Sequence, residues 1–282
     1  MNIAGVVILY HPDITKTIEY INSYASQLNK LYIFDNSAQP CMFISKDLAD
    51  LKISIEYIST GTNEGISKRL NKAVEKALQE GYDFLLTMDQ DSGFEQGVFE
   101  QYLRLVDNYN KDNVAQFGVN CDPKHIPVSD IPLNLDSLIT SGTILNLSVC
   151  KEIGNFDEKL FIDFVDVEYS LRASYLGYQN VMFTNIIMNH SIGFLKLGRS
   201  LKNFKITPRI LHSPIRVYYI IRNGMYLYFK VNHIDKKARK LILFDHMKML
   251  KNDFLYNDHL GRVYLNAMQG IYDFLRNKMG KK

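Results

Sequence analysis

The chain is 282 residues long, 46% hydrophobic and 22% charged, with a formal net charge of +3. That length buries a full core, and that composition excludes an intrinsically disordered or fibrous chain. Three scattered cysteines, Cys41, Cys121 and Cys150, make no CxxC pair, which argues against a disulfide framework or zinc knuckle and fits a reducing compartment.

Residues 2–10 read as a buried strand; the apolar run from Gly5 to Leu9 has no basic segment before it and no small-residue cleavage site after it, so it is not read as a signal peptide. A helix over 14–28 follows, carrying Ile14, Ile18, Ile21 and Leu28 at helical spacing. Strands are predicted over 30–35 and 53–59, a helix over 65–80 and a strand over 82–88. A helix over 95–109 and a strand near 113–119 continue the alternation. Strands alternating with helices make a parallel sheet covered on both faces, and ligands bind at the carboxyl ends of its strands. Three of these strands end in polar residues: Tyr10-His11-Pro12, Asp35-Asn36-Ser37 and Asp89-Gln90-Asp91.

After residue 120 the pattern changes. Residues 121–136 hold three of the seven prolines and read as an irregular loop, 138–147 as a strand carrying Ser141-Gly142-Thr143, 166–177 as a helix and 180–187 as a strand. From 214 the chain reads as helical, over 214–231, 235–256 and 261–279, with Asp235 and Gly261 near the breaks. No stretch approaches the ~20 apolar residues of a membrane-spanning helix, so the expected chain is soluble or peripheral. Charge is unevenly spread. Residues 1–195 carry 14 Lys/Arg and 25 Asp/Glu, whereas 196–282 carry 19 and 5, balances of −11 and +14. A basic region on an acidic body suits an anionic partner, or is simply a solvated face. Lys236-Lys237-Ala238-Arg239-Lys240 is its densest cluster.

Four segments carry candidate chemistry. Asp89 and Asp91 at a strand end offer hard oxygen ligands for Mg²⁺ or Mn²⁺, or make a solvated turn. Thr62 to Asn71 opens a helix whose N-terminus favours phosphate, or is a helix start capped by Asn63. Asp163, Asp166 and Glu168 sit beside Phe161, Phe164 and Tyr169; carboxylates there complement the helix dipole, or one serves as a base whose pKa apolar neighbours raise. His190 follows a strand and is either structural or a metal ligand.

Taken in order, these motifs resemble those of family 2 glycosyltransferases with the GT-A fold, in the bacterial rhamnosyltransferase branch. The resemblance rests on Tyr10-His11-Pro12, Asp35-Asn36-Ser37, Asn63-Glu64-Gly65 with Asn71, Asp89-Gln90-Asp91, Ser141-Gly142, Phe161 to Arg172, and Arg216 to Asn223, and so covers residues 1 to about 230. It implies a mixed α/β sheet flanked by helices, a catalytic domain over 1–200 and a basic, mainly helical region over 201–282. It implies a metal-dependent, inverting transfer of a sugar, with dTDP-L-rhamnose the favoured donor and UDP-glucose, UDP-galactose or UDP-galactofuranose as alternatives. By resemblance, Asp35 contacts the nucleotide base, supported by Asn63 and the Gly65 turn, with Tyr10, His11 and Arg69 also on the donor. Asp89 holds ribose or sugar hydroxyls, and Asp91 and His190 bind the cation. Asp166 is the general base with Asp163 its rival, and Ser141, Gly142, Glu168 and Arg172 shape the acceptor side. The implied acceptor is a lipid-linked glycan, with the enzyme on the anionic inner face of the plasma membrane; the helical tail would also suit a homodimer. A non-catalytic glycan- or nucleic-acid-binding protein is the reading from another class, although no nucleic-acid-binding motif supports it and nucleic acid is not an expected partner.

Overall fold

A computed structural model describes residues 1–41, 48, 51–190, 194–199, 204–231 and 236–282. They divide into two compact units: Met1–Glu158 with Val165–His190, and Lys159–Phe164 with Ser191–Lys282.

The first unit is built on one mixed sheet. Strands β1 (Ile3–Leu9), β2 (Lys30–Asp35), β3 (Ser54–Ser59) and β4 (Phe84–Asp89) lie parallel in the order β3-β2-β1-β4. Every residue of β1 is buried, as an unbroken apolar run requires when both faces of a strand are covered. Beyond β4 the sheet continues through β8 (Thr143–Asn146), antiparallel to β4, and β6 (Val114–Asn120), antiparallel to β8. It ends with β9 (Gln179–His190), parallel to β6, and the short β5 (Ser92–Phe94), antiparallel to β9. The two-residue β7 (Leu133–Asn134) pairs with β9 from within the proline-bearing loop. Helices α1 (Ile14–Asn22), α2 (Ile66–Gln79), α3 (Val98–Asn108), α4 (Leu147–Ile153) and α5 (Val165–Tyr175) flank the sheet. Tyr24, Phe94, Phe99, Tyr102, Phe117 and Phe183 fill its core, with edge-to-face pairs such as Tyr102–Phe183 at 6.1 Å.

Several elements differ from the sequence reading. Helix α1 stops at Asn22, and a 3₁₀ turn at Ala25–Gln27 brings the chain to β2, where a helix over 14–28 is predicted. The strand predicted over 138–147 is only Thr143–Asn146, because Gly142 (φ 76°) turns the backbone just before it, and Asn146 then caps α4 through the Ser148 N–H. His190 does not follow β9; it is the strand's last residue.

The second unit holds a ribbon of β10 (Phe194–Arg199) and β11 (Ile206–Leu211) and the helices α6 (Pro214–Lys230), α7 (Lys236–Tyr256) and α8 (Leu260–Leu275). Pro208 conceals β11 in the sequence, yet a two-stranded ribbon tolerates proline because half of its N–H groups face away from the partner strand. Val217, Ile220, Leu250, Val263 and Ala267 form the helical core. Two buried polar ties lock it: His212 with Asp253 (2.8 Å), and Tyr218 bridging Asp273 (2.8 Å) and Arg222 (3.0 Å). Asp235 and the side chains of Lys236, Lys237, Arg239 and Lys240 lie outside the described residues.

Candidate active site

The parallel strands bring their carboxyl ends to one edge. The register places Leu9 beside Asp35, Ile8 beside Asp89, and Asp35 beside Ser59. Gln90 pins the ends of β1 and β4 together by accepting from the Tyr10 N–H (2.7 Å) and donating to the Tyr10 carbonyl (3.2 Å). The half-exposed Tyr10 ring lies edge-on to His11 at 4.4 Å. His11 has a left-handed backbone (φ 47°), and its N–H donates to Ser37 Oγ (2.8 Å).

Asp35 is fully buried. Its Oδ1 accepts from the Ser37 N–H (2.7 Å), and its Oδ2 from the Cys41 N–H (2.9 Å) and the Tyr57 hydroxyl (2.5 Å). Burial alone would raise this carboxyl, but the hydrogen bonds from Ser37, Tyr57 and Cys41 outweigh it and hold the pKa below the ordinary value. Its carboxylate thus satisfies the backbone of the loop after β2 and the hydroxyl of Tyr57 on β3.

Arg69 is equally buried and has a similar duty. Its guanidinium reaches Asn36 Oδ1 (2.7 Å), Thr60 Oγ1 (2.8 Å) and Glu64 (2.9 Å). Asn36 is the hub: its amide donates to the Gly65 carbonyl (3.2 Å) while its oxygen also accepts from the Glu64 N–H (3.3 Å). Asn63 accepts from the Gly65 N–H (2.9 Å), and Gly65 starts α2 with φ 85°, a conformation that favours glycine. Burial opposes ionisation of Glu64, but Lys68, Lys72 and Arg69 override it and pull its pKa down to about 2. Asn71 binds the Phe156 N–H (2.8 Å) and carbonyl (3.0 Å) and so fixes the segment before Glu158.

Among the described residues, Asp89, Asp91 and His190 form a candidate metal-binding group whose ligand atoms lie within 4.8 Å of one another. Asp89 ends β4, and its N–H donates to the buried Ser141 Oγ (3.0 Å). Ser141 is held by the Gly142 turn, whose N–H donates to the Thr87 carbonyl (2.9 Å). A side chain at 142 would meet Met188 and Val119 at 2.7 Å, so this turn needs glycine both for φ and for space. His190 arrives through the antiparallel pairing of β5 with β9, which sets it opposite Ser92. Ser92 Oγ engages its Nδ1 at 2.7 Å, and Asp91 lies 3.9 Å from the same nitrogen. Two carboxylates and an imidazole are a suitable set for Mn²⁺ or Mg²⁺, with hard oxygens dominant and a seryl oxygen orienting the ring.

The Phe161–Arg172 motif is divided between the units. Asp163 belongs to the second. Asp163 and Phe164 both have left-handed backbones (φ 64° and 67°). Asn223 on α6 holds that strained pair by donating to the carbonyls of Ile162 (2.7 Å) and Asp163 (3.2 Å), and Arg216 clasps the Asp163 carboxylate through Nη2 and Nε. Asp166 sits in the first turn of α5, in the first unit, and its Oδ1 accepts from the Val167 N–H (2.9 Å). Glu168 is buried and chelates Arg172 through two bonds (2.9 and 2.8 Å). Arg172 in turn donates to the carbonyls of Ile153 and Asn155, which ties α5 to the end of α4.

The sequence reading named neither Gln90, Tyr57 nor Ser92 for any role, and it quoted Asn36 and Asn223 only within motifs. An amide at a strand end, beside an acidic residue, is the signal that could have found Gln90 and Asn36; nothing local marks Ser92.

A mixed sheet that gathers acidic strand ends on one edge, with an Asp-x-Asp pair and an aligned histidine, defines a GT-A glycosyltransferase. The same fold is found in Staphylococcus aureus TarS residues 1–349 in complex with UDP-GlcNAc (TM-score 0.59, 13% identity, 98% of this chain and 81% of that one). It recurs in GalNAc-T7 with UDP, GalNAc and Mn²⁺ (TM-score 0.59, 10% identity, 92% of this chain and 58% of that one). The chain spans about half, 49%, of a longer TarS structure. Residues 10–128 match the model of glycosyl transferase family 2. The dTDP-rhamnosyl transferase RfbF of Shigella flexneri is 30% identical over 251 residues, 83% of this chain and 81% of that protein. The chain belongs to glycosyl transferase family 2.

Proposed function

We propose that this enzyme moves L-rhamnose from dTDP-L-rhamnose to a glycan carried on a membrane lipid, inverting the anomeric carbon, during synthesis of a bacterial surface polysaccharide. The observation that carries the reading is the Asp89–Asp91–His190 group at the strand edge, within 4.8 Å. Similarity to a dTDP-rhamnosyl transferase supports the choice of donor.

In this reading Asp91 and His190 hold the cation, Asp89, expected on ribose or sugar hydroxyls, lies close enough to share it, and Ser92 and Ser141 set the ring and the strand end that present them. A bound Mg²⁺ or Mn²⁺ supplies positive charge where the departing diphosphate gains negative charge. Tyr10 and His11 flank the nucleotide. Asn63 and Gly65 shape its phosphate side, and Asp35 and Arg69 keep these loops in place. Asp166 removes the proton from the acceptor hydroxyl as the acceptor oxygen bonds to the anomeric carbon and the bond to the diphosphate breaks. Asp163 is the weaker candidate for base, because Arg216 already clasps its carboxylate. Glu168 and Arg172 stiffen the helix that carries Asp166.

Thermal shift with dTDP, UDP, GDP and ADP, each with Mn²⁺ or EDTA, tests the donor. At ~100-fold excess over Kd a bound nucleotide adds about 2.7 kcal/mol to stability. A cation-dependent shift with dTDP, together with release of dTDP from dTDP-L-rhamnose, is the expected result. A shift with UDP alone would replace rhamnose by a UDP-sugar, and no shift with any nucleotide would end the transferase reading of this site.

A further inference from the structure

Helix α8 is apolar on two faces, and the described residues cover only one. Val263, Ala267, Gly270 and Phe274, spaced four, three and four residues apart, form the buried face, and Val263 and Ala267 belong to the helical core. About 100° or more around the helix runs a second stripe: Tyr264, Leu265, Met268, Ile271, Tyr272 and Leu275. All six are exposed, with Leu265, Met268 and Leu275 at 67%, 65% and 71%. Soluble surfaces rarely leave so many large apolar side chains together in water.

The charges beside this stripe say what covers it. Residues 260–282 carry Arg262, Arg276, Lys278, Lys281 and Lys282 but a single acid, Asp273. That acid is buried and receives the Tyr218 hydroxyl (2.8 Å), so the stripe is bordered by cations with no exposed carboxylate in the segment. Arg276 and Arg262 follow the stripe on the helical wheel, and Arg276 donates to the Tyr272 hydroxyl (2.9 Å). An apolar stripe with tyrosines and an arginine-lysine border suits the boundary between acyl chains and anionic headgroups. A second copy suits it less. Two-fold pairing of antiparallel helices about Met268 would bring Arg262 of one copy toward Arg276 of the other, with no carboxylate between them. At 16 residues α8 is too short to span a bilayer, and no described helix is long and apolar enough to cross one. It would lie in the plane of the surface.

We infer that the outward face of α8 is a membrane-docking surface for anionic lipid, with Leu265, Met268 and Leu275 entering the acyl boundary and Arg262, Arg276 and Lys281 meeting the headgroups. This deepens the reading of a lipid-carried acceptor by naming the surface that meets the lipid, but it stands on the helix itself.

The chain contains no tryptophan, so Met268→Trp places a single reporter on the stripe. With vesicles of phosphatidylglycerol and phosphatidylcholine its emission should shift to the blue, whereas a tryptophan at the exposed Ile131 of the first unit (I131W) should not respond. Co-flotation of the full chain with the same vesicles should weaken at least tenfold in L265E/M268E/L275E, and pure phosphatidylcholine should bind neither protein well. No blue shift, or equal flotation of the triple variant, overturns the inference. A concentration-dependent dimer that the triple variant abolishes, without vesicle binding, assigns the stripe to a second copy instead. A thermal shift with dTDP and Mn²⁺ on the same samples separates the two readings. Retained nucleotide binding without flotation sinks only the docking surface, and flotation without nucleotide binding sinks only the transferase reading.

Discussion

Asp166 is the proposed general base and Asp163 its rival, and their surroundings differ. Asp163 sits in a left-handed backbone position, a conformation that aspartate and asparagine tolerate better than other non-glycine residues, and its carboxylate holds Arg216. Asp166 starts a regular helix, where strain does not set its direction. Asp163→Asn should therefore keep the backbone and lose only the charged clasp, lowering kcat/KM less than about tenfold. Asp166→Asn should lower kcat by roughly 10²–10⁴, as loss of a general base does, with the dTDP-induced thermal shift unchanged. Steady-state kinetics with that binding control checks both. An Asp163→Asn enzyme as crippled as Asp166→Asn would transfer the base assignment to Asp163.

At the scale of elements, the candidate cation group depends on a strand pairing. β5 is only three residues long, yet its register with β9 sets His190 opposite Ser92 and beside Asp91. Ser92→Ala should leave the strand and the three proposed ligand residues in place but free the imidazole ring. A lost orienting partner of this kind typically weakens metal affinity by 10–100-fold. Titration of Mn²⁺ against donor-nucleotide binding should show that loss, and an unchanged Mn²⁺ midpoint would remove His190 from the site. The same pairing marks the border of what the sequence made legible. Acidic residues at the ends of apolar strands could be read directly, because alternation of strand and helix predicts a common edge. The approach of His190 was signalled only by the family resemblance, since it follows from long-range antiparallel register and no local periodicity encodes it. The burial of Asp35 and Arg69 was equally illegible: a carboxylate at a strand end looks the same in sequence whether it faces a ligand or satisfies its own loop. Helices α6 to α8 were legible as a long helical stretch broken near Asp235 and Gly261, but β11 was hidden by Pro208 and α4 by its shortness.

Across the whole molecule, the acid limit of stability should be set in the first unit. Three carboxyls there, Asp35, Glu56 and Glu64, have pKa values pulled below their ordinary range, each against the opposing effect of burial. Glu56 is held by Lys76 and Lys30, Glu64 by Lys68, Lys72 and Arg69, and Asp35 by hydroxyl and backbone donors. A carboxyl whose folded pKa is depressed contributes stability that is fully present above its unfolded pKa and is lost as pH falls through the folded value. For Glu64 that window runs from its ordinary 4.5 down to about 2. Its contribution above the window, discounted for partial exposure, is on the order of 2 kcal/mol. Thermal melts should thus be flat from pH 7 to about 5 as far as Glu64 is concerned, and fall steadily below. Glu64→Gln removes the charge that Arg69 and two lysines share, so the variant should melt lower at pH 7 and lose less on acidification. Its curve should approach that of the parent near pH 2, where the parent's Glu64 is itself becoming neutral. A variant whose melting point stays a constant interval below the parent from pH 7 to pH 2 would show that Glu64 acts through packing, and that the ion cluster at the start of α2 adds no charge-dependent stability.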